Sequence, residues 1–258
     1  MAQQIKISWK DEILSITHPK IADVLVEVNY IEAYCRDRSH EKKWGKTVIP
    51  HETHVLKEFE DGSRITLRSE LADGVVVDHD IKGEIDSVSF SVTATNQSRK
   101  KSGLHWAQPC IRVSEFTGVE YKPSSEEYLQ KCFIFVDGEL ERLPTGPWAT
   151  KARYTPGQVW CPSNVDRRDV NPRPLSEIVP SNGLMGCFSK DEKFILATAW
   201  EPYQELFQGV LVCIHSDFRI GGLLPGQKKE IKGKIYIMEA NIQKLLERYC
   251  SDFPEHHS

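Results

Sequence analysis

Residues 211–219 read LVCIHSDFR and carry the side chains best suited to chemistry in this chain. In an extended strand, successive side chains point to opposite faces of the sheet. His215, Asp217 and Arg219 would therefore share one face, which predicts a proton carrier, an anion and a cation in one row. The opposite face would be almost wholly apolar, and its members are Val210, Val212, Ile214, Phe218 and Ile220.

This polar row has two interpretations, and the sequence leaves both open. A carboxylate beside an imidazole fixes its tautomer and raises its basicity, while an arginine holds a polar or anionic group. A charged row on an outer sheet face is also common at protein surfaces and adds little stability. Gly221 and Gly222 follow directly and permit close approach to the backbone, which favours a functional role.

Turn dipeptides such as Asp61-Gly62 and Asn182-Gly183 separate short alternating segments along the chain, which predicts strands joined by turns. The clearest strand covers residues 86–95, where apolar residues alternate with serine and threonine. Helical spacing is convincing only at residues 242–249, with Asn241 placed to cap that helix. We therefore expect an all-β sandwich of antiparallel strands with a short C-terminal helix, forming one domain over residues 1–258.

Composition excludes several classes of protein. The 258 residues are 40% hydrophobic and carry a net charge of −4 without a large basic field, so neither nucleic acid nor an acidic membrane is an expected partner. The N-terminus lacks the apolar run of a signal peptide, which predicts a cytoplasmic protein. Seven cysteines without a short-spaced pair predict buried, reduced thiols.

Two short motifs suggest a family. A strand ends in Asn96-Gln97-Ser98, and a basic turn leads to Gly103-Leu104-His105-Trp106. This arrangement resembles the galactose mutarotase-like group, in which a strand ending in Asn-x-Ser precedes a strand with a catalytic histidine. The resemblance implies a β supersandwich with a sugar-sized cleft, in which His105 would protonate a ring or glycosidic oxygen.

The candidate catalytic residues are His105 and His215, with Glu201 or Asp217 as the carboxylate partner. If residues 104–113 form a regular strand, Gln108 would lie on the face opposite His105. Irregular residues 142–180 are rich in proline and arginine, and a long ordered loop is often functional. Residues expected to contact a sugar through amide, guanidinium or aromatic groups are Gln108, Arg112, Trp160, Arg167, Arg168, Arg173 and Arg219.

This pattern requires no cofactor, and it leaves open whether a divalent metal ion is bound. His51 and His54 are three apart, so they converge only outside a regular strand, whereas Asp78 and Asp80 share a face beside His79. A sugar or oligosaccharide is the expected ligand. An edge strand or the C-terminal helix would be the contact in a homodimer, if one forms.

Two functions remain open on these residues. The first is a carbohydrate-active enzyme that transfers protons on a sugar or uronate, in the manner of an epimerase or a lyase. The second is a non-catalytic carbohydrate-binding protein or a partner subunit of a sugar-processing complex. Convergence of the polar segments in one pocket would favour the enzyme.

Overall fold

The computed structural model describes residues 4–120, 127–145, 159–170, 175–209 and 212–257. Strands dominate these residues. In chain order they are β1 (Lys6–Lys10), β2 (Ile13–Thr17), β3 (Leu25–Arg36), β4 (Val48–Ile49), β5 (His51–Glu58), β6 (Arg64–Leu71), β7 (Val75–Gly83), β8 (Ser87–Asn96), β9 (Leu104–Arg112), β10 (Cys132–Val136), β11 (Glu139–Arg142), β12 (Val159–Trp160), β13 (Met185–Phe188), β14 (Phe194–Glu201), β15 (Tyr203–Gly209), β16 (Cys213–Arg219) and β17 (Lys228–Glu239).

The α-helices are α1 (Trp44–Thr47), α2 (Ser114–Thr117) and α3 (Ile242–Asp252). The predicted C-terminal helix is confirmed as α3, and the Asn241 side chain accepts a hydrogen bond from the Lys244 backbone N–H at 2.9 Å. Leu245 and Tyr249 on its buried face pack against the outer side of one sheet. Among the residues that the structure describes, none of the helices has the length and apolar character that crossing a bilayer requires.

The strands form two antiparallel sheets. Sheet A has the order β1-β2-β3-β9-β16-β15-β12, with β4 beside β3, and sheet B has the order β11-β10-β13-β14-β17-β8-β7-β6-β5. Neighbours such as β3, β9 and β16 are far apart in sequence, so loops must carry the chain between the two layers. The predicted all-β sandwich is confirmed.

The core lies between the two sheets and is rich in aromatic side chains. Tyr30 of sheet A stacks on Phe90 of sheet B with ring centroids 5.1 Å apart, and Trp200 of sheet B lies 4.6 Å from Phe218 of sheet A. Such pairs add specific geometry to the burial of apolar area. Gly233 faces the Trp200 ring so closely that a Cβ there would lie 2.3 Å from it.

The strand predicted from the LVCIHSDFR stretch exists but is shorter than expected. Gly209 ends β15 and Cys213 begins β16, and between them Val212 has a φ of 53°, which extended strands do not adopt. The prediction of one continuous strand from residue 209 was therefore wrong. Val210 and Leu211 lie outside the described residues. The alternation within β16 is as predicted, because Ile214 and Phe218 enter the main core.

Candidate functional site

The candidate site is the face of sheet A that points away from the core, here called the polar face. In β15 and β16, Glu205 pairs with Asp217 and Phe207 with His215. In β9 and β16, Ile111 pairs with Ile214 and Ala107 with Phe218, so continuing this register places Gln108 opposite Asp217 and Cys110 opposite His215. The members of the polar face are Gln108, Cys110, Glu205, Cys213, His215, Asp217 and Arg219.

This face is buried rather than presented to solvent, which argues against the interpretation of the row as a charged outer sheet face. His215 and Asp217 expose 2% and 0% of their surface. Two segments cover the face. Residues 38–49 pack Trp44 and Val48 against Trp106, and residues 159–170 form a small apolar cluster with Phe207. The irregular segment predicted at 142–180 therefore does contact the polar face through its described part.

At the end of the polar face, His105, Asp169 and Arg219 meet. The His105 Nδ1 atom lies 3.7 Å from Asp169 Oδ2, and Arg219 Nη2 donates to the same oxygen at 3.2 Å. The second guanidinium nitrogen of Arg219 donates to the Gln204 side-chain oxygen at 2.6 Å. The Asp169 Oδ1 atom accepts the Arg38 backbone N–H at 2.7 Å. Asp169 thus links residues 159–170, in which it lies, to residues 38–49 and to strands β9 and β16.

The contacts of Asp169 stabilise its ionised form. Burial opposes ionisation, but the interactions with His105, the Arg38 backbone N–H and Arg219 outweigh it and lower the pKa of Asp169 to about 2. An anion at Nδ1 favours the tautomer that carries its proton there, which leaves Nε2 of His105 able to accept a proton. The His105 side chain is 16% exposed, so it is the accessible imidazole of this cluster.

His105 reaches the polar face because the strand is irregular at this point. A regular strand would place His105 on the face opposite Gln108, but that condition is not met, and the His105 imidazole lies beside Asp169. The His105 carbonyl accepts hydrogen bonds from both the Ile220 and Gly221 N–H groups, and the pairing of β3 with β9 shifts register nearby. Gly222, with a φ of 77°, packs so close that a Cβ there would lie 2.9 Å from His105 Nε2.

A second polar cluster surrounds His215. Its Nδ1 lies 3.5 Å from Asp217 Oδ1, its Nε2 lies 3.4 Å from the Cys213 sulfur, and its ring stacks on Phe207 at 4.1 Å. Burial disfavours charge on both members of the pair and raises the pKa of Asp217. Burial lowers the pKa of His215, but the interactions with Cys213 and Asp217 outweigh it and raise that pKa above the ordinary value.

His105 and His215 lie on the same face of sheet A but at different points along it. Ile220, which lies beside His105, is five residues along the chain from His215, a separation of roughly 16 Å at about 3.3 Å per strand residue. The predicted grouping of His215 with Asp217 agrees with the geometry, and Arg219 belongs with His105 instead.

Glu201 does not lie near either histidine of the polar face. Its side chain is on the outer side of sheet B, where Oε2 lies 2.5 Å from His256 Nε2, and His256 also contacts the Tyr249 hydroxyl. Trp200, its neighbour, points into the core, so alternation sends Glu201 to the opposite side. The hypothesis that Glu201 is the carboxylate partner is corrected accordingly.

Trp160 is fully buried in the main core, so the prediction that it contacts a sugar was wrong. Arg167 and Arg168 are exposed and form ion pairs with Glu177 and Asp166 beside them. Three further residues were predicted to contact a sugar. Gln108 is 8% exposed, and Arg112 pairs with Glu27 at 3.3 Å. Arg173 lies outside the described residues.

The predicted metal residues do not converge. His79 is buried between the Tyr30 and Tyr34 hydroxyls, each 3.1 Å from one of its ring nitrogens. His54 is exposed on β5, and His51 lies on the other face of that strand in the register of buried Leu71. Asp78 and Asp80 share a face as predicted, but they pair with Arg68 and Arg64 on sheet B.

Sequence reasoning missed Asp169, Gln204, Glu205, Cys110 and Cys213 as members of the polar face and its edge. Asp169 lies in an irregular segment where periodicity gives no signal. The signal that could have found the two cysteines is weak: strand alternation places Cys110 on the same face as Gln108, and Cys213 on the same face as His215.

The Asn96-Gln97-Ser98 motif builds the turn before His105. The Asn96 side-chain amide donates to the Lys100 and Leu223 carbonyls at 2.8 and 2.9 Å, and its oxygen accepts the Ser98 N–H at 2.9 Å. Because Asn96 is fully buried, these bonds fix the chain that enters β9. The motif therefore positions His105 indirectly.

No protein-family model and no curated protein sequence matches this chain. Solved structures do match over most of its length. The Slr1438 protein of Synechocystis is 9% identical with a TM-score of 0.47, and covers 92% of this chain and 96% of its own. A galactose mutarotase-like protein from Lactobacillus casei is 11% identical with a TM-score of 0.46, covering 90% and 99%. The galactose 1-epimerase of Lactobacillus acidophilus is 10% identical with a TM-score of 0.35, covering 93% and 99%.

Two of these structural neighbours carry galactose mutarotase-like or galactose 1-epimerase in their names. Likeness at these identities and TM-scores does not establish an activity.

Proposed function

We propose that the protein is a carbohydrate-active enzyme in which His105 transfers a proton to or from a sugar or uronate, as in an epimerase or lyase. The observation that carries this proposal is the cluster at the end of the polar face. It combines a partly exposed imidazole, a carboxylate that stays ionised and a guanidinium within 4 Å of one carboxylate oxygen.

The roles follow from the contacts. Asp169 orients His105 through Nδ1, so Nε2 is the atom that exchanges a proton with the substrate. Arg219 keeps N–H groups beside this position and suits a ring hydroxyl or a uronate carboxylate. Asp169 itself is a weak base because its pKa is about 2. The resemblance of the Asn96 and His105 motifs to the galactose mutarotase-like group supports a sugar as the substrate.

The test is a panel of aldoses, ketoses and uronates, with exchange at each carbon followed by NMR. We expect one class to turn over, and His105→Gln to lower the rate about 100-fold or more, because a positioned general acid or base contributes about 10²–10⁴-fold. His54→Gln is the matched control, since it removes an exposed imidazole on sheet B. A fully active His105→Gln enzyme would exclude His105 from the mechanism.

A second function, non-catalytic sugar binding, is favoured by the position of Glu201. The Glu201 side chain lies on the outer side of sheet B, and the carboxylate that the structure pairs with His105 is the strongly acidic Asp169. Binding of a sugar by calorimetry without exchange at any carbon would select this function. Loss of that binding in Arg219→Gln would place the sugar in the same cluster.

A further inference from the structure

Cys110, Cys213 and His215 form a cluster that the proposed function does not use. Each offers one ligand atom, and these atoms all lie within 4.8 Å of one another. All three residues expose only 2% of their surface. Within the part of the chain that the structure describes, no other three His, Cys, Asp or Glu residues meet in this way.

Strand geometry builds this cluster. Cys213 and His215 are two residues apart on β16, so their side chains share the polar face. The register of β9 with β16 places Cys110 directly opposite His215. Three ligands therefore project from two rigid, central strands, which is the arrangement that holds a metal site in fixed geometry.

The distances suit a tetrahedral metal ion. Zinc bonds of about 2.3 Å to sulfur and about 2.0 Å to nitrogen require a sulfur–nitrogen separation of about 3.5 Å. The Cys213 sulfur lies 3.4 Å from His215 Nε2. The Cys110 and Cys213 sulfurs lie within 4.8 Å of each other. Small movements would bring all three atoms to bonding distance of one ion.

The surroundings also fit a metal ligand. The nitrogen of His215 that faces away from the sulfurs lies 3.5 Å from Asp217, which is the usual outer partner of a zinc-bound histidine. Neither Asp217 oxygen has a hydrogen-bond partner within the described residues, although the side chain is fully buried.

We propose that Cys110, Cys213 and His215 bind one Zn²⁺ ion, and that Asp217 positions His215 for this. Two thiolates and an imidazole select zinc over the harder divalent cations. Binding releases the two thiol protons to solvent, so the ion and its two thiolates are together neutral. The fourth position is left for water.

The first experiment uses the full-length wild-type protein and the metal alone. We expect one zinc per chain by elemental analysis, or stoichiometric uptake of Zn²⁺ by the metal-free protein with release of protons. Co²⁺ should give the absorption of tetrahedral cobalt with a thiolate charge-transfer band. A protein that purifies without zinc and takes up neither ion stoichiometrically would overturn the proposal, and this result needs no variant.

Variants then locate the ion. Cys110→Ser and Cys213→Ser should abolish the thiolate–cobalt band, and Asp217→Asn should weaken zinc affinity about 10–100-fold while keeping that band. Cys187→Ser, which alters a buried thiol on sheet B, is the matched control. Unchanged zinc binding in folded Cys110→Ser and Cys213→Ser variants would refute the assignment.

The zinc proposal stands apart from the proposed function. His105→Gln should retain one zinc per chain, because the two histidines lie roughly 16 Å apart along the sheet. A protein that binds zinc but turns over no sugar would therefore leave this inference intact.

Discussion

Asp169 gives the sharpest test of how the polar face is held together. The change is Asp169→Asn, which keeps the shape of the side chain but removes its charge. The pKa of Asp169 is lowered from 3.8 to about 2, and each pKa unit corresponds to about 1.4 kcal/mol. We therefore expect the free energy of unfolding at pH 7 to fall by about 2 kcal/mol.

The assay is urea unfolding followed by tryptophan fluorescence. Asp166→Asn is the matched control, because Asp166 lies three residues earlier in the same segment and pairs with Arg168 at the surface. Surface changes of this kind usually alter stability by less than about 0.5 kcal/mol. If Asp169→Asn destabilises the protein no more than Asp166→Asn does, the contacts of Asp169 do not hold the covering segment.

The pH dependence supplies an independent check. A carboxyl group whose pKa is lower in the folded state stabilises the protein above the unfolded pKa, and this stabilisation disappears as pH falls through the folded pKa. The difference between wild type and Asp169→Asn should thus be constant from pH 7 to about 5 and shrink between about 4 and 2. Thermal midpoints at pH 7, 5, 4 and 3 measure it, and a difference that grows on acidification would contradict the reasoning.

Two further predictions concern sheet B. In Gly233→Ala the new Cβ would lie 2.3 Å from the Trp200 ring, so we expect a loss of about 1–3 kcal/mol in urea unfolding, whereas Gly45→Ala, with no atom within 4 Å of its Cβ, should change stability little. Glu201→Gln removes the carboxylate that contacts His256 Nε2 and should lower the thermal midpoint by about 2–4 °C without changing sugar binding or turnover. Loss of turnover in a stable Glu201→Gln variant would return Glu201 to the mechanism.

Local patterns were enough to predict the strands. The alternation at residues 86–95 corresponds to β8 within one residue at each end, and the faces of His215 and Ile214 follow directly from strand period. The helix near the C-terminus and its Asn241 cap were equally predictable from the sequence, because both depend on interactions within a few residues.

The candidate site was only partly predictable because it depends on which strands are neighbours. His215 and Cys110 lie opposite each other although more than a hundred residues separate them, and no local pattern encodes that pairing. Asp169 comes from an irregular segment with no periodic signal. Glu201 was misplaced because alternation predicts the face of a strand but not which sheet the strand joins.

The cysteines of this chain have a practical consequence. Cys250 is exposed on α3, whereas the other six are buried. A thiol-reactive fluorophore applied to the folded protein should therefore attach at one position, on the far side of the sandwich from the polar face. A dye placed there would report tumbling and self-association without touching the residues assigned to catalysis or metal binding.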